Sequence, residues 1–180
     1  MALTRINNQA LPAGSILQVK NYVKRGNQTL TYNSFDALTD LQTGDLTAKK
    51  SSSSFLIFGT VMFGGADTDW AVALQLFHRA DSGTLAEVTG ISSTHKTGSN
   101  DLNAIGGQMW DGTTYQQFVQ SPITFSFLHT PSYTSTVKYE LHASQLRTGK
   151  TAYVNRMGNT SDSDYNAGST SQLTIMEIAG

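Results

Sequence analysis

The stretch Ser171-Gln172-Leu173-Thr174-Ile175-Met176-Glu177-Ile178-Ala179-Gly180 decides the fold. Successive side chains of an extended chain point to opposite faces, so Leu173, Ile175 and Glu177 share one face while Thr174, Met176 and Ile178 share the other. Such a segment must pair inside a sheet, and its two-sided apolar character predicts a central strand. Near the other end, residues 14–23 (Gly-Ser-Ile-Leu-Gln-Val-Lys-Asn-Tyr-Val) read as a second strand, entered through Pro12-Ala13-Gly14. Two terminal strands of this kind predict a closed β-sandwich.

The segments between them follow the same grammar. Residues 55–63, Phe-Leu-Ile-Phe-Gly-Thr-Val-Met-Phe, are the most apolar run and are read as ending at Gly64-Gly65. Residues 69–79 place Trp70, Val72, Leu74 and Leu76 on one face, with Ala71, Ala73, Gln75 and Phe77 on the other. A helix competes for this stretch, but the turn residues on either side make hairpin boundaries, and the alternation assigns Trp70 to the core. Short strands are expected at 29–32 and 84–88, and 35–46 is ambiguous. Residues 90–107, rich in Ser, Thr, Asn and Gly, read as a long surface loop, with the next strand beginning at 105–109. Residues 117–129 form a strand whose Ser121-Pro122 suits a bulge or an edge, because proline has no ladder donor. Strands at 135–143 and 152–156 and a polar loop at 158–168 complete the chain. Eight to ten antiparallel strands, with no convincing helix and no internal repeat, predict an all-β fold: one jelly-roll sandwich over residues 14–180, preceded by an extended arm at 1–13.

Composition narrows the function. The 180 residues fit one domain with a single core, only 14% are charged, and the formal net charge is −1. Beyond Lys24-Arg25 and Lys49-Lys50 no basic cluster exists, so neither nucleic acid nor an anionic membrane is an expected partner. The absence of cysteine removes disulfides and thiolate metal sites and fits assembly in a reducing cytosol. The first residues lack the charged-then-apolar pattern of a signal peptide, and no window is long enough for a membrane-spanning helix.

No set of residues assembles a catalytic signature. His78, His95, His129 and His142 lack the close spacings common in zinc sites, although strands can bring two together. Asp67/Asp69 and Asp162/Asp164 resemble fragments of calcium loops, but they lack the accompanying glycine and distal glutamate, and turn capping is the simpler role. Ser, His and Asp occur without a nucleophile elbow, and the three glutamates Glu87, Glu140 and Glu177 form no evident acid–base pair. Neither enzyme activity, a metal nor a cofactor is expected. Glu140 is assigned to an ion pair with Lys138 or a neighbour. Glu177, costly to bury alone, is expected to pair with a cation such as Arg156 or to bond at a subunit contact. Trp110 and Tyr115, five residues apart around a turn, either stack on sugar rings or anchor an interface.

Three groups of segments carry a resemblance: Leu3-Thr4-Arg5-Ile6-Asn7-Asn8 with the strand from Gly14, Phe127-Leu128-His129-Thr130-Pro131 with Val137-Lys138-Tyr139-Glu140-Leu141, and the stretch from Leu173 to the end. Along nearly its whole length the chain resembles small virion structural proteins, of tail-fibre or appendage type, from marine tailed bacteriophages such as cyanophages. The architecture is similar to the trimeric jelly rolls of complement C1q and tumour necrosis factor, in which first and last strands lie side by side. The resemblance implies a non-enzymatic homotrimer on the surface of a phage particle, assembled in the bacterial cytoplasm. A capsid decoration protein and a receptor adhesin that binds a host glycan are the alternatives. No heptads or collagen-like shaft precede residue 14, so such a protein would sit directly on another virion protein. Under that reading Leu3, Arg5, Ile6 and Asn8 form a docking arm. Trp110, Tyr115 and Tyr165, with loops 90–107 and 158–168, form a receptor surface. Glu177, Arg156 and Tyr139 are candidate subunit-interface residues.

Overall fold

In the computed structural model β14 (Ser171–Ile178) lies between β1 (Ile16–Lys24) and β5 (Ser54–Gly65), antiparallel to both. The C-terminal stretch is therefore a central strand. Described are residues 11–66, 69–88, 90, 93–97, 100–110, 119–158 and 168–180, of which 93–97, 100–103 and 108–110 are described by backbone only.

The remaining strands are β2 (Gln28–Thr29), β3 (Asp36–Gln42), β4 (Leu46–Thr47), β6 (Trp70–Ala80), β7 (Ala86–Glu87), β8 (Ser93–Thr97), β9 (Asn100–Ala104), β10 (Gly106–Trp110), β11 (Gln120–His129), β12 (Thr136–Gln145) and β13 (Ala152–Val154). The first sheet runs β1–β14–β5–β11, with β13 continuing the line of β14 along β5 and β2 beside β13. The second runs β3–β12–β6–β10, with β4 beside β12 and β7 beside β6. The pairs β1–β14, β3–β12, β5–β11 and β6–β10 nest one inside the next. That nesting is a long antiparallel hairpin rolled on itself, the jelly-roll path.

The two inner faces meet in one core that includes Phe55, Phe63, Trp70, Leu74, Leu141 and Leu173, all fully buried. Burial of side chains of this size stabilises the fold by about 1.5–3 kcal/mol each. Trp70 takes the core place its alternation indicated. Its indole lies where a side chain at Gly65 would have to stand, so the close approach of the two strands requires glycine there. β5 ends at Gly65, as its apolar run indicated, with Gly64 and Gly65 as its last residues.

Two further readings change. Residues 90–107 contain the hairpin β8–β9, paired from Ser93↔Ala104 to Thr97↔Asn100. The two strands are mostly polar, and Leu102 and Ala104 alone set too short an alternation to read. The ambiguous stretch 35–46 contains β3 and the start of β4, and Leu38, Leu41 and Leu46 are buried. β11 pairs only with β5 among the described strands, with no register shift, so Pro122 sits on a sheet edge and not in a bulge.

Candidate functional site

Glu177 enters the interior at the end of β14 and is 1% exposed. Four donors converge on its carboxylate. Oε1 accepts the Lys49 and Lys50 backbone N–H groups (2.7 and 3.1 Å) and the Ser53 hydroxyl (2.7 Å), while Gln18 Nε2 donates to Oε2 (2.6 Å). The carboxylate thus organises the turn from Lys49 to Ser53, and charge-assisted bonds of this kind offset the cost of burial. The expected partner Arg156 is elsewhere. It follows β13, which pairs with the Phe63–Gly65 end of β5, whereas Glu177 pairs with Phe55. At about 3.3 Å per residue the two lie roughly 25 Å apart. The Arg156 guanidinium carbon instead stands 4.4 Å from the centre of the Tyr153 ring.

Tyr139 is fully buried on β12. Its hydroxyl meets His129 Nδ1 at 2.9 Å, its ring lies 5.8 Å from that of Phe55, and burial pushes the phenol above its ordinary pKa. Glu177 and Tyr139 are therefore interior groups of one chain with no surface to present to a neighbour, which corrects their assignment to an interface. Arg156 is half-buried.

The fold brings two of the four histidines together. His78 on β6 and His129 on β11 have ring centres 4.6 Å apart, and burial, reinforced by the neighbouring His78, depresses the His129 pKa to about 4. His78 is depressed by burial as well. Among the described residues no three His, Asp or Glu side chains are grouped as for a metal ion. Asp69 is ion-paired with Arg147 (2.6 Å) and Lys150 (2.8 Å). Asp81 accepts the backbone N–H groups of Thr134, Ser135 and Thr136 at 2.8–2.9 Å, which holds its carboxyl well below the usual range and closes the β6 turn against β12.

Of the proposed receptor surface, the backbone of Trp110 ends β10 opposite Trp70. Tyr115 and Tyr165 lie outside the described residues, as do Leu3, Arg5, Ile6 and Asn8 of the arm, Asp67, Asp162 and Asp164; the His95 side chain is likewise outside them.

The outward faces of the two sheets differ in chemistry. On the first sheet, Val19, Met176, Leu56 and Leu128 stand directly opposite one another across all four strands. Ile16 and Ile178 precede this row, and the rows that follow carry Asn21, Thr174, Phe58 and Ser126, then Val23, Gln172, Thr60 and Thr124. None of these side chains is charged. Five large apolar side chains are exposed among the described residues. Four of them, Ile16 (56%), Val19 (50%), Val23 (38%) and Leu128 (60%), belong to this face, and the fifth is Tyr32. A depression of about 250 Å³ lined by Phe58, Thr60, Thr124, Ser126 and Gln172 lies beside the apolar row. Sequence reading missed this surface, although Leu56, Phe58 and Met62 between the core residues of β5 were its signal.

At its Arg79–Lys138 end the second sheet's outward face is ionic. Glu140 pairs with Lys138, as expected, and with His142 Nε2 at 3.0 Å. Burial pushes the Glu140 carboxyl up, but the bonds and charges of Lys138 and His142 outweigh it and leave its pKa below the ordinary value. Lys138 stands opposite Arg79, which is itself paired with Asp45.

No family model and no curated protein matches the chain. Three solved structures that do match come from infectious bursal disease virus. The structure of the Gx strain gives a TM-score of 0.43 at 11% identity, covering 99% of this chain and 46% of that one. The VP2 subviral particle gives 0.46 at 12%, with coverage of 99% and 46%, and the virus-derived T=1 particles give 0.42 at 9%, with 99% and 41%. The chain spans less than half the length of each.

Proposed function

We propose that the chain is a non-enzymatic structural protein of a bacteriophage particle, a homotrimeric appendage that docks on another virion protein. The carrying observation is the concentration of exposed apolar side chains on one uncharged sheet face, a surface suited to packing against protein. The sequence resemblance to tail-fibre and appendage proteins supplies the virion context. Residues 1–13, through Leu3, Arg5, Ile6 and Asn8, form the docking arm. Leu11, its first described residue, lies beside the turn that Glu177 organises, where Lys50 Nζ donates to the Leu11 carbonyl at 2.8 Å. An extended segment leaving a rigid end is suited to strand addition or side-chain docking.

The test is the position and copy number of the chain in intact particles by cryo-electron microscopy, together with deletion of residues 2–12. Clusters of three at the tail or its vertex, lost from particles on deletion while the protein remains assembled, are expected. Many copies spread over the head would make it a decoration protein instead. Unchanged incorporation of the deletion variant would remove the docking arm. Host adsorption that disappears in a Trp110→Ala/Tyr115→Ala variant with normal incorporation would point to the glycan-binding adhesin.

A further inference from the structure

We propose that the outward face of the first sheet, centred on the row Val19–Met176–Leu56–Leu128, is the surface through which copies of this chain bind one another. The inference rests on the self-association in the function proposed above and assigns it to residues. An antiparallel sheet with one face in water ordinarily alternates apolar inside with polar outside. Here β5 is apolar on both faces, the pattern of strands covered on both sides, and β14 adds Met176 and Ile178 to the outward side.

Three properties of the face select a second copy as its occupant. First, it holds no charge. A partner with an ordinary ionic surface would have charges stripped of water with nothing opposite them, whereas a second copy brings neither unpaired nor like charges. Second, its polar members are Asn21, Gln172, Thr174, Thr60, Thr124 and Ser126, hydroxyls and amides that both donate and accept. Such groups can satisfy their own kind, as a surface meeting another copy of its own chain requires. Third, its size is sufficient. Four strands about 4.8 Å apart and roughly 30 Å long give a footprint on the order of 600 Å². Two such footprints remove about 1,200 Å² from water, the lower bound of stable protein interfaces.

The test is the molar mass of the purified full chain by sedimentation at micromolar concentration. The wild type is expected at a multiple of 19.4 kDa, undiminished by added salt because no ion pair holds the contact. Val19→Lys and Leu128→Lys are expected to fall to the monomer mass with unchanged circular dichroism, both sites being half exposed or more in the single chain. Leu128→Ser, which adds no charge, should weaken association at least tenfold. Tyr32→Lys, at the exposed apolar residue off this face, should leave the mass unchanged. A monomeric wild type, lysine variants that stay associated, or dissociation by Tyr32→Lys equally would each overturn the assignment. Association through this face by a chain absent from phage particles would sink the virion function and leave the interface standing. Clusters of three in particles, with lysine variants still associated, would do the reverse.

Discussion

The outward faces of the two sheets solve the same problem in opposite ways. The β12–β6 face satisfies its charges within the chain: Lys138 and His142 flank Glu140, and Arg79 holds Asp45. The β14–β5 face has no charges to satisfy and leaves valine, isoleucine and leucine in water. The first arrangement is complete in one copy; the second is complete only when something covers it. Under the self-association proposed above, the chain divides its surface into a part that stabilises the monomer and a part that stabilises an assembly.

The comparison breaks if the two faces respond alike to substitution. Between them, Glu177 sets the upper limit of effect. Glu177→Ala leaves the Gln18 amide, two backbone N–H groups and the Ser53 hydroxyl without their acceptor. It should cost about 3 kcal/mol or more in urea denaturation of the monomer. Glu140→Ala strands a lysine and a histidine on the ionic face and should cost about 2 kcal/mol while leaving the association state intact. A larger change in association than in stability would contradict the division.

His129, which lies on neither outward face, provides a further test through pH. The unfolded chain protonates His129 near pH 6.5 and the folded chain only near 4, so the unfolded state binds the extra proton between those values. The contribution of neutral His129 is complete above about pH 6.5, declines as the pH falls toward 4, and His129→Phe should flatten the decline in thermal midpoint. The smallest effect belongs to the apolar face. Leu128→Ser should move monomer stability by less than about 0.5 kcal/mol, because the side chain is mostly in water already. A loss near that of Glu140→Ala would mean that the face is part of the monomer's own support.

Alternation made the strand framework legible. β6 and β12 carry a period-two pattern strong enough to assign strand and opposing faces, the continuous apolar run of β5 marked a strand without an inward side, and the two-sided apolar character of residues 171–180 placed β14 centrally. The hairpin β8–β9 was illegible because Leu102 and Ala104 are its only apolar residues, too few to show a period. Glu177 was marked as costly to bury, but two of its four donors are backbone groups of a turn more than a hundred residues earlier, and no residue type at Lys49 or Lys50 announces an N–H. The apolar row was hidden for a topological reason. Its members are scattered from residue 19 to residue 176, and only the nested pairing sets them side by side.

That nesting also orders events during synthesis. β1 has β14 as its strand partner, and half of β5 also faces β14, so the first sheet stays split until residues 171–178 have left the ribosome. Across such a sequence separation loop closure is slow, and β14, the latest of the described strands in sequence order, is the one that joins the earliest to its neighbours. A stalled or truncated copy lacks Met176 and Ile178 and holds Val19 and Leu56 apart, so it cannot present the apolar row. Synthesis of residues 171–178 is thereby a condition for forming the apolar row, and copies that stop short of them differ from complete sheets by geometry alone.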